Sequence, residues 1–249
     1  MPSSEDRPFR TVERGRGATH NPANRFRRDT RERNDEVAPD RDEPPPLATT
    51  VTIQRARTII ARNNSPDIPF DRSINPYQGC EHGCVYCYAR PSHAYLDLSP
   101  GLDFESRLFA KPDAPALLRA ELARPGYACR PMALGTNTDP YQPIERTWRI
   151  TRGVLEVLAE CAHPFTVVTK GALIERDLDI LAPMAAKGMV RVYLSVTTLD
   201  PHLARRLEPR AASMPNATFR RARDSGRMRA WKWPLCDRMV SKARDPQTR

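Results

Sequence analysis

The sequence lacks a long apolar run. None approaches the roughly 18 residues that a membrane-spanning helix needs, and the N-terminus has no apolar signal core. We therefore expect a cytoplasmic protein without membrane contact. Because that compartment is reducing, the six cysteines are expected to be free thiols or metal ligands and not a disulfide framework.

Apolar residues are scarce as well. Hydrophobic residues make up 39% of the chain and the mean hydropathy is −0.62, with 25 prolines against 11 glycines. This composition indicates that a good part of the chain lies outside any core. Residues 1–50 are rich in Arg, Asp, Glu and Pro and poor in aliphatic side chains, so they are predicted to form a disordered N-terminal segment.

The net charge of +10 is unevenly distributed. Residues 213–249 contain ten Lys or Arg against three Asp, whereas ten Arg and ten acidic residues cancel in residues 1–47. Residues 213–249 are predicted to form an irregular basic tail, because they show neither strand alternation nor helical spacing. Two hypotheses account for this tail. It is a nucleic-acid-binding element in which Trp231 and Trp233 stack on bases, or it is out-of-frame sequence that leaves the chain truncated after about residue 212.

Between these segments, residues 51–212 carry alternating strand and helix patterns and form the predicted core. The strand candidates are residues 73–78, 131–135, 165–169 and 190–197, and the helix candidates are residues 114–123, 151–161 and 178–184. This alternation predicts an α/β fold whose βα units build a parallel sheet, as an open or partial barrel.

Polar and thiol side chains follow the predicted strands at the points where the strands end. They are a cysteine-rich loop at residues 80–87, a turn at residues 136–139, Lys170 and Ser195. In parallel α/β folds the chemistry collects at the carboxyl ends of the strands. We therefore expect these residues to face one common site.

The cysteine-rich loop reads GCEHGCVYCY over residues 79–88, which places Cys80, Cys84 and Cys87 in a C-x3-C-x2-C spacing. Three thiolates on one tight loop can each bind one iron of a cubane 4Fe-4S cluster, and the fourth iron is then open to a non-protein ligand. A zinc site with His82 as fourth ligand is the alternative. A histidine between two of the cysteines closes a tetrahedron poorly, so the cluster is the preferred interpretation.

The loop resembles the signature of the radical S-adenosylmethionine (radical SAM) superfamily, including the aromatic Tyr86 just before the third cysteine. Residues 73–80 (SINPYQGC), 90–95 (RPSHAY) and 135–143 (GTNTDPYQP) are similar to a subgroup of that superfamily allied to spore photoproduct lyase. The resemblance covers about residues 58–212.

Several properties of the chain are implied by this resemblance. The cofactors would be a 4Fe-4S cluster and S-adenosylmethionine, which is reductively cleaved to a 5′-deoxyadenosyl radical. The implied partner is a reducing electron donor, flavodoxin-like or ferredoxin-like. A nucleic-acid lesion is the leading hypothesis for the substrate, and the oligomeric state stays undetermined.

The resemblance and the strand-end positions together point to eight cofactor-binding residues, while no residue that acts on the substrate is identified. The eight are Tyr86, Thr136, Thr138, Asp139, Lys170, Ser195, Glu208 and Arg210. Asp139 is expected to pair with the ammonium group of the methionine moiety, Lys170 with its carboxylate, and Ser195 with the ribose. The simpler alternatives are a turn signal for Asp139 and solvent-exposed positions for the other two.

A radical SAM barrel usually has six βα units, and only four are predicted here, near Ile74, Met132, Val167 and Val192. A partial barrel of this kind would expose a strand edge at residues 190–197. Three functional hypotheses therefore stay open at this point. The chain is a radical SAM enzyme, an inactive truncated fragment that retains the cluster loop, or a basic nucleic-acid-binding protein supported by a metal.

Overall fold

The structure, a computed structural model, describes residues 16–26, 47–198, 200–211 and 229–231, the last three by their backbone. Its main sheet has six strands in the order β2-β3-β6-β7-β8-β9, and all neighbours are parallel except β2 and β3. The strands of this sheet are β2 (Ile60–Arg62), β3 (Arg72–Ile74), β6 (Met132–Leu134), β7 (Phe165–Thr169), β8 (Val190–Ser195) and β9 (Arg229–Trp231).

A second, smaller sheet lies beside the cysteine loop. It has the order β1-β5-β4, with β1 parallel and β4 antiparallel to the central strand. Its strands are β1 (Thr50–Ile53), β4 (Tyr77–Gln78) and β5 (Arg107–Ala110). The sequence patterns did not predict this sheet, because two to four residues are too few to show a reliable alternation.

Helices alternate with the parallel strands and bury their apolar faces. They are α1 (Leu102–Ser106), α2 (Ala114–Leu122), α3 (Glu145–Trp148), α4 (Ile150–Glu160), α5 (Leu178–Ala186) and α6 (Pro201–Leu207), with 3₁₀ turns at Arg90–Leu96 and Ala172–Asp177. The longest, α4, packs against α2 and α5 and buries Val154, Leu155 and Leu158 completely. The predicted α/β fold class, a partial barrel of parallel βα units, is confirmed.

The strand predicted at residues 73–78 is in fact two strands that belong to different sheets. β3 pairs with β6 and β4 pairs with β5. Pro76 separates the two strands, because a proline has no backbone N–H to donate to a neighbouring strand. Its carbonyl accepts a hydrogen bond from the Lys111 N–H at 3.0 Å. The break turns the chain out of the main sheet and directs it into the cysteine loop.

The edge of β8, which was expected to be exposed, is covered in the structure by β9. The two strands run parallel, with Tyr193 opposite Arg229 and Ser195 opposite Trp231. A fifth parallel strand therefore lies within the stretch that was predicted to be irregular. Residues 213–228 and 232–249 of the predicted tail lie outside the described residues, so neither hypothesis for that tail is decided.

Part of the N-terminal segment that was predicted to be disordered lies against the core. The Gly17 and Ala18 N–H groups donate to the buried Glu105 carboxylate at 2.9 and 2.8 Å. A Cβ on Gly17 would lie 1.7 Å from the Gly83 carbonyl oxygen, so only glycine fits there. Composition could not predict that this segment is ordered, because the contacts that hold it are polar and join residues almost ninety positions apart. Residues 1–15 and 27–46 lie outside the described part.

Glu105→Gln should release this N-terminal segment. The carboxylate also pairs with Arg90, and an amide cannot replace all of these charge-assisted bonds. We expect a loss of about 2 kcal/mol in the free energy of unfolding and faster tryptic cleavage after Arg16 and Arg25. Denaturant titration and limited proteolysis measure the two effects, with Glu175→Gln at an exposed site as control. Unchanged cleavage would show that the segment does not depend on Glu105.

No helix within the described residues is both long and apolar enough to cross a membrane.

Candidate metal and cofactor site

The cysteine loop begins directly after β4. Cys80 and Cys84 are buried and Cys87 is partly buried. The loop turns at Gly79, whose φ is +75° and whose Cβ would lie 2.6 Å from the Leu108 side chain. The Cys80 N–H donates to the Phe104 carbonyl at 2.9 Å, which ties the start of the loop to α1. The backbone thus presents three thiols from one tight turn.

The chemistry of these thiols fits an iron–sulfur cluster. Burial, and next the nearby Cys80 thiolate, raise the pKa of Cys84, and burial also raises the pKa of Cys87. Bound iron would offset that cost, because a coordinating thiol is deprotonated outright. Within the described ranges, no three His, Cys, Asp or Glu side chains converge on one point as a single metal ion requires. The three cysteine thiols are included in this finding, so it does not distinguish the cluster from the zinc alternative with His82.

Asp139 connects the cysteine loop to the ends of two parallel strands. One carboxylate oxygen accepts from the Thr169 hydroxyl at 2.6 Å and from the Tyr141 N–H at 2.9 Å. The other accepts from the Lys170 N–H at 2.7 Å and lies 3.3 Å from His82 Nδ1. Protein groups thus occupy both oxygens, as expected for a residue that shapes a turn. A direct contact with the cofactor ammonium stays a prediction.

The two predicted threonines lie near the loop and make internal contacts. The buried Thr138 hydroxyl donates to the Tyr77 carbonyl at 2.8 Å. The Thr136 carbonyl accepts from the Tyr88 hydroxyl, so it is linked to the residue that follows Cys87. These contacts place both threonines beside the cysteine loop. Cofactor binding by either threonine stays a prediction.

Four predicted residues come together in one polar cluster at the end of β8, with Thr197 as an unpredicted fifth member. Lys170 Nζ lies 2.9 Å from Ser195 Oγ, 3.3 Å from Thr197 Oγ1 and 2.8 Å from the Glu208 carboxylate. Tyr86 donates its hydroxyl to Glu208 and lies 2.6 Å from Thr197 Oγ1. The cluster thus joins β7, β8 and the segment after α6 to the cysteine loop.

The charges in this cluster stabilise each other. Burial alone would lower the pKa of Lys170, but the adjacent Glu208 carboxylate raises that pKa above its usual range. Burial alone would raise the pKa of Glu208, yet the Lys170 ammonium holds it below its usual value. Both groups are therefore charged at neutral pH, and the site presents a fixed cation and anion beside the thiols.

Arg210, the last of the eight predicted residues, contacts the cysteine loop from the segment after α6. Its guanidinium lies 3.2 Å from the Glu81 carboxylate, and its N–H donates to the His82 carbonyl at 3.1 Å. The Leu207 carbonyl accepts from the Val85 N–H at 3.0 Å. Residues 207–210 therefore contact the cysteine loop at three of its residues, Glu81, His82 and Val85.

Sequence reasoning missed several residues of the site, which are Glu81, Gln142 and Thr197. The sequence could have identified Thr197, because residues two apart on a strand share a face and Ser195 was already a candidate. The Gln142 side chain accepts from the Glu81 N–H at 3.0 Å and donates to the Gly79 carbonyl at 3.1 Å. No local pattern reveals that contact, because it joins residues about sixty positions apart.

Lys170→Ala should weaken S-adenosylmethionine binding by about 10- to 100-fold, the range for one charge-assisted hydrogen bond. The ammonium group lies within 3.3 Å of Ser195, Thr197 and Glu208, so its loss also leaves the Glu208 carboxylate without its cation. Equilibrium binding to the reconstituted protein measures the effect. Lys187→Ala, at an exposed position after α5, is the matched control. Equal affinity in both variants would remove Lys170 from the site.

Comparison with known proteins places this geometry in a family. The sequence profile of the Radical SAM superfamily matches residues 74–233. An uncharacterised protein of Mycobacterium tuberculosis is 43% identical over 145 residues, which cover 58% of this chain and 43% of that protein. An uncharacterised protein of Methanocaldococcus jannaschii is 26% identical over 136 residues, which cover 55% and 48%. The chain thus spans less than half the length of these curated relatives.

Among solved structures, spore photoproduct lyase complexed with dinucleoside spore photoproduct is similar with a TM-score of 0.49 and 15% sequence identity. That match covers 77% of this chain and 55% of the lyase chain. Because the superfamily profile covers more than half of this chain and includes the loop with Cys80, Cys84 and Cys87, the chain belongs to the radical SAM superfamily, whose enzymes use a 4Fe-4S cluster and S-adenosylmethionine.

Proposed function

We propose that this chain binds a 4Fe-4S cluster through Cys80, Cys84 and Cys87 and reductively cleaves S-adenosylmethionine. The observation that carries the proposal is the position of the three thiols. They lie on one turn, beside a charged polar cluster built from the ends of β7 and β8. When bound, the cluster and its cofactor supply an electron and a 5′-deoxyadenosyl radical that removes a hydrogen atom from the substrate.

The chain's own residues would hold and orient these groups. The three thiolates would bind three irons, which leaves the fourth iron for the cofactor. The polar cluster of Tyr86, Lys170, Ser195, Thr197 and Glu208 would hold that cofactor. A fixed cation and anion suit the carboxylate and ammonium groups of a methionine moiety. Burial of Cys80 and Cys84 keeps water from the thiols, which protects reactive species from side reactions.

We further propose an electron donor of the flavodoxin or ferredoxin type and a nucleic-acid lesion as substrate. Both rest on the sequence resemblance of residues 73–80, 90–95 and 135–143 alone. If the logarithm of the affinity for single-stranded DNA falls linearly with the logarithm of the salt concentration, that result would support nucleic-acid binding. Affinity that is independent of salt would count against it.

The test of the proposed function is an assay for S-adenosylmethionine cleavage. The purified chain is reconstituted anaerobically with iron and sulfide, reduced with dithionite and given S-adenosylmethionine. We expect 5′-deoxyadenosine and methionine in equal amounts, and none when iron is omitted. A protein that assembles a cluster but forms no 5′-deoxyadenosine would instead be the inactive fragment.

A further inference from the structure

Arg90 is the first residue of the RPSHAY stretch at residues 90–95, which has no role in the site described above. Its side chain lies largely buried beside the cysteine loop. One guanidinium nitrogen donates to the Cys84 carbonyl at 2.9 Å, and another donates to the Gly101 carbonyl at 3.2 Å. A planar, rigid guanidinium thus joins the backbone of a proposed iron ligand to the start of α1.

The carboxylate of Glu105 in α1 neutralises this guanidinium. Glu105 is completely buried, and it pairs with the same nitrogen of Arg90 that contacts Cys84. A buried ion pair holds its geometry, because displacing either partner leaves a buried charge uncompensated. The position of the Cys84 backbone is therefore coupled to α1.

The N-terminal segment and the glycine before Cys84 lie against the same carboxylate. Glu105 accepts from the Gly17 and Ala18 N–H groups at 2.9 and 2.8 Å. A Cβ on Gly83 would lie 3.1 Å from the Glu105 carboxylate, and the φ of Gly83 is +66°. Both observations suit glycine, which lets the loop pass close to the ion pair.

Packing alone does not fix this side of the cysteine loop. A cavity of about 450 Å³ lies here, and its walls include residues 17–20, Cys87 and Arg90. Side chains that border a cavity lose the contacts that close packing would provide. The hydrogen bonds of Arg90 therefore matter more for the position of the loop than they would in a close-packed region.

We propose that Arg90 is a positioning residue for the iron–sulfur site. It fixes the cysteine loop on α1 and on residues 16–26, so that the loop keeps its shape without metal and retains iron once the cluster is bound. This inference rests on the proposed cluster. Groups that orient metal ligands without binding the metal typically change metal affinity by about 10- to 100-fold when they are removed.

Arg90→Lys separates this role from a general loss of stability. A lysine keeps a positive charge beside Glu105, but its single nitrogen cannot reproduce the two-armed contact with the two backbone carbonyls. Arg119→Lys is the matched control, because Arg119 forms an exposed ion pair with Glu160 on the surface.

Two measurements on the full chain test the proposal. In the metal-free protein, hydrogen exchange at residues 80–88 should be about tenfold faster in Arg90→Lys, the effect of one lost hydrogen bond to a charged group. In the reconstituted protein, release of iron to a chelator should be about tenfold faster, and the electron paramagnetic resonance spectrum of the reduced cluster should change. A role in overall stability alone would instead speed exchange in β7 and β8 equally and leave the spectrum unchanged.

The outcomes separate this inference from the proposed function. A wild-type chain that assembles no cluster overturns the proposed function and this inference with it. A wild-type cluster, with exchange and iron release equal in Arg90→Lys and Arg119→Lys, overturns the inference alone. If Arg90→Lys does not fold, Glu105→Gln decides, because it removes the counter-charge that holds Arg90 in place. Unchanged exchange at residues 80–88 in that variant contradicts the proposal, and faster exchange supports it.

Discussion

Replacing Cys84 with Ala should abolish cluster assembly and, with it, all formation of 5′-deoxyadenosine. Cys84 is the middle thiol of the three, and two remaining thiols cannot hold three irons of a cubane. Its carbonyl accepts from Arg90 at 2.9 Å, a backbone contact that alanine retains. The variant should therefore fold normally and fail only in iron binding, which separates loss of chemistry from loss of structure.

The control for this substitution is Cys161→Ala, at an exposed thiol just after α4. Iron and sulfide content, the absorbance of the reconstituted protein and 5′-deoxyadenosine formation should match the wild type in the control and be absent in Cys84→Ala. A Cys84→Ala protein that still cleaves S-adenosylmethionine would show that the ligand set is wrong.

Glu145→Ala should destabilise the chain by about 3–5 kcal/mol, the typical cost of removing one partner from a buried ion pair. The Glu145 carboxylate is completely buried. It lies 2.7 Å from the Arg176 guanidinium, accepts the Thr151 N–H at 2.9 Å and accepts the Tyr77 hydroxyl. Its removal leaves the Tyr77 phenol and the first turn of α4 without their acceptor, and leaves Arg176 paired with Asp177 alone.

The effect should reach the cysteine loop, because Tyr77 lies in β4 immediately before it. The free energy of unfolding from denaturant titration measures the loss, and Glu160→Ala is the control. Glu160 pairs with Arg119 on the surface, where such a pair contributes about 1 kcal/mol or less. Equal losses in the two variants would mean that the buried network does not carry the stability assigned to it.

The sequence predicted the elements whose burial pattern is regular. The predicted helix at residues 151–161 is α4 (Ile150–Glu160), since Val154, Leu155 and Leu158 form one apolar stripe. The predicted strand at residues 165–169 is β7, with alternating burial. The small sheet and the contacts of residues 16–26 were not predicted, because they depend on polar bonds between distant parts of the chain.

The candidate site was predicted to a similar degree. Parallel strands bring their carboxyl ends to one edge, so Lys170 and Ser195 were expected to meet, and the structure places them 2.9 Å apart. The side-chain partner of each site residue could not be predicted from the sequence. Nothing in a local pattern assigns Glu208 to Lys170 or His82 to Asp139, because side-chain pairs follow from tertiary geometry.

The most direct test of the central claim is the electron paramagnetic resonance spectrum of the reduced, reconstituted chain before and after S-adenosylmethionine is added. A cluster held by Cys80, Cys84 and Cys87 has one open iron, so the cofactor should become its ligand and change the spectrum. We predict a reduced-cluster signal that shifts with S-adenosylmethionine and is absent in Cys84→Ala. A signal that the cofactor leaves unchanged, or no signal in the wild type, would contradict the account.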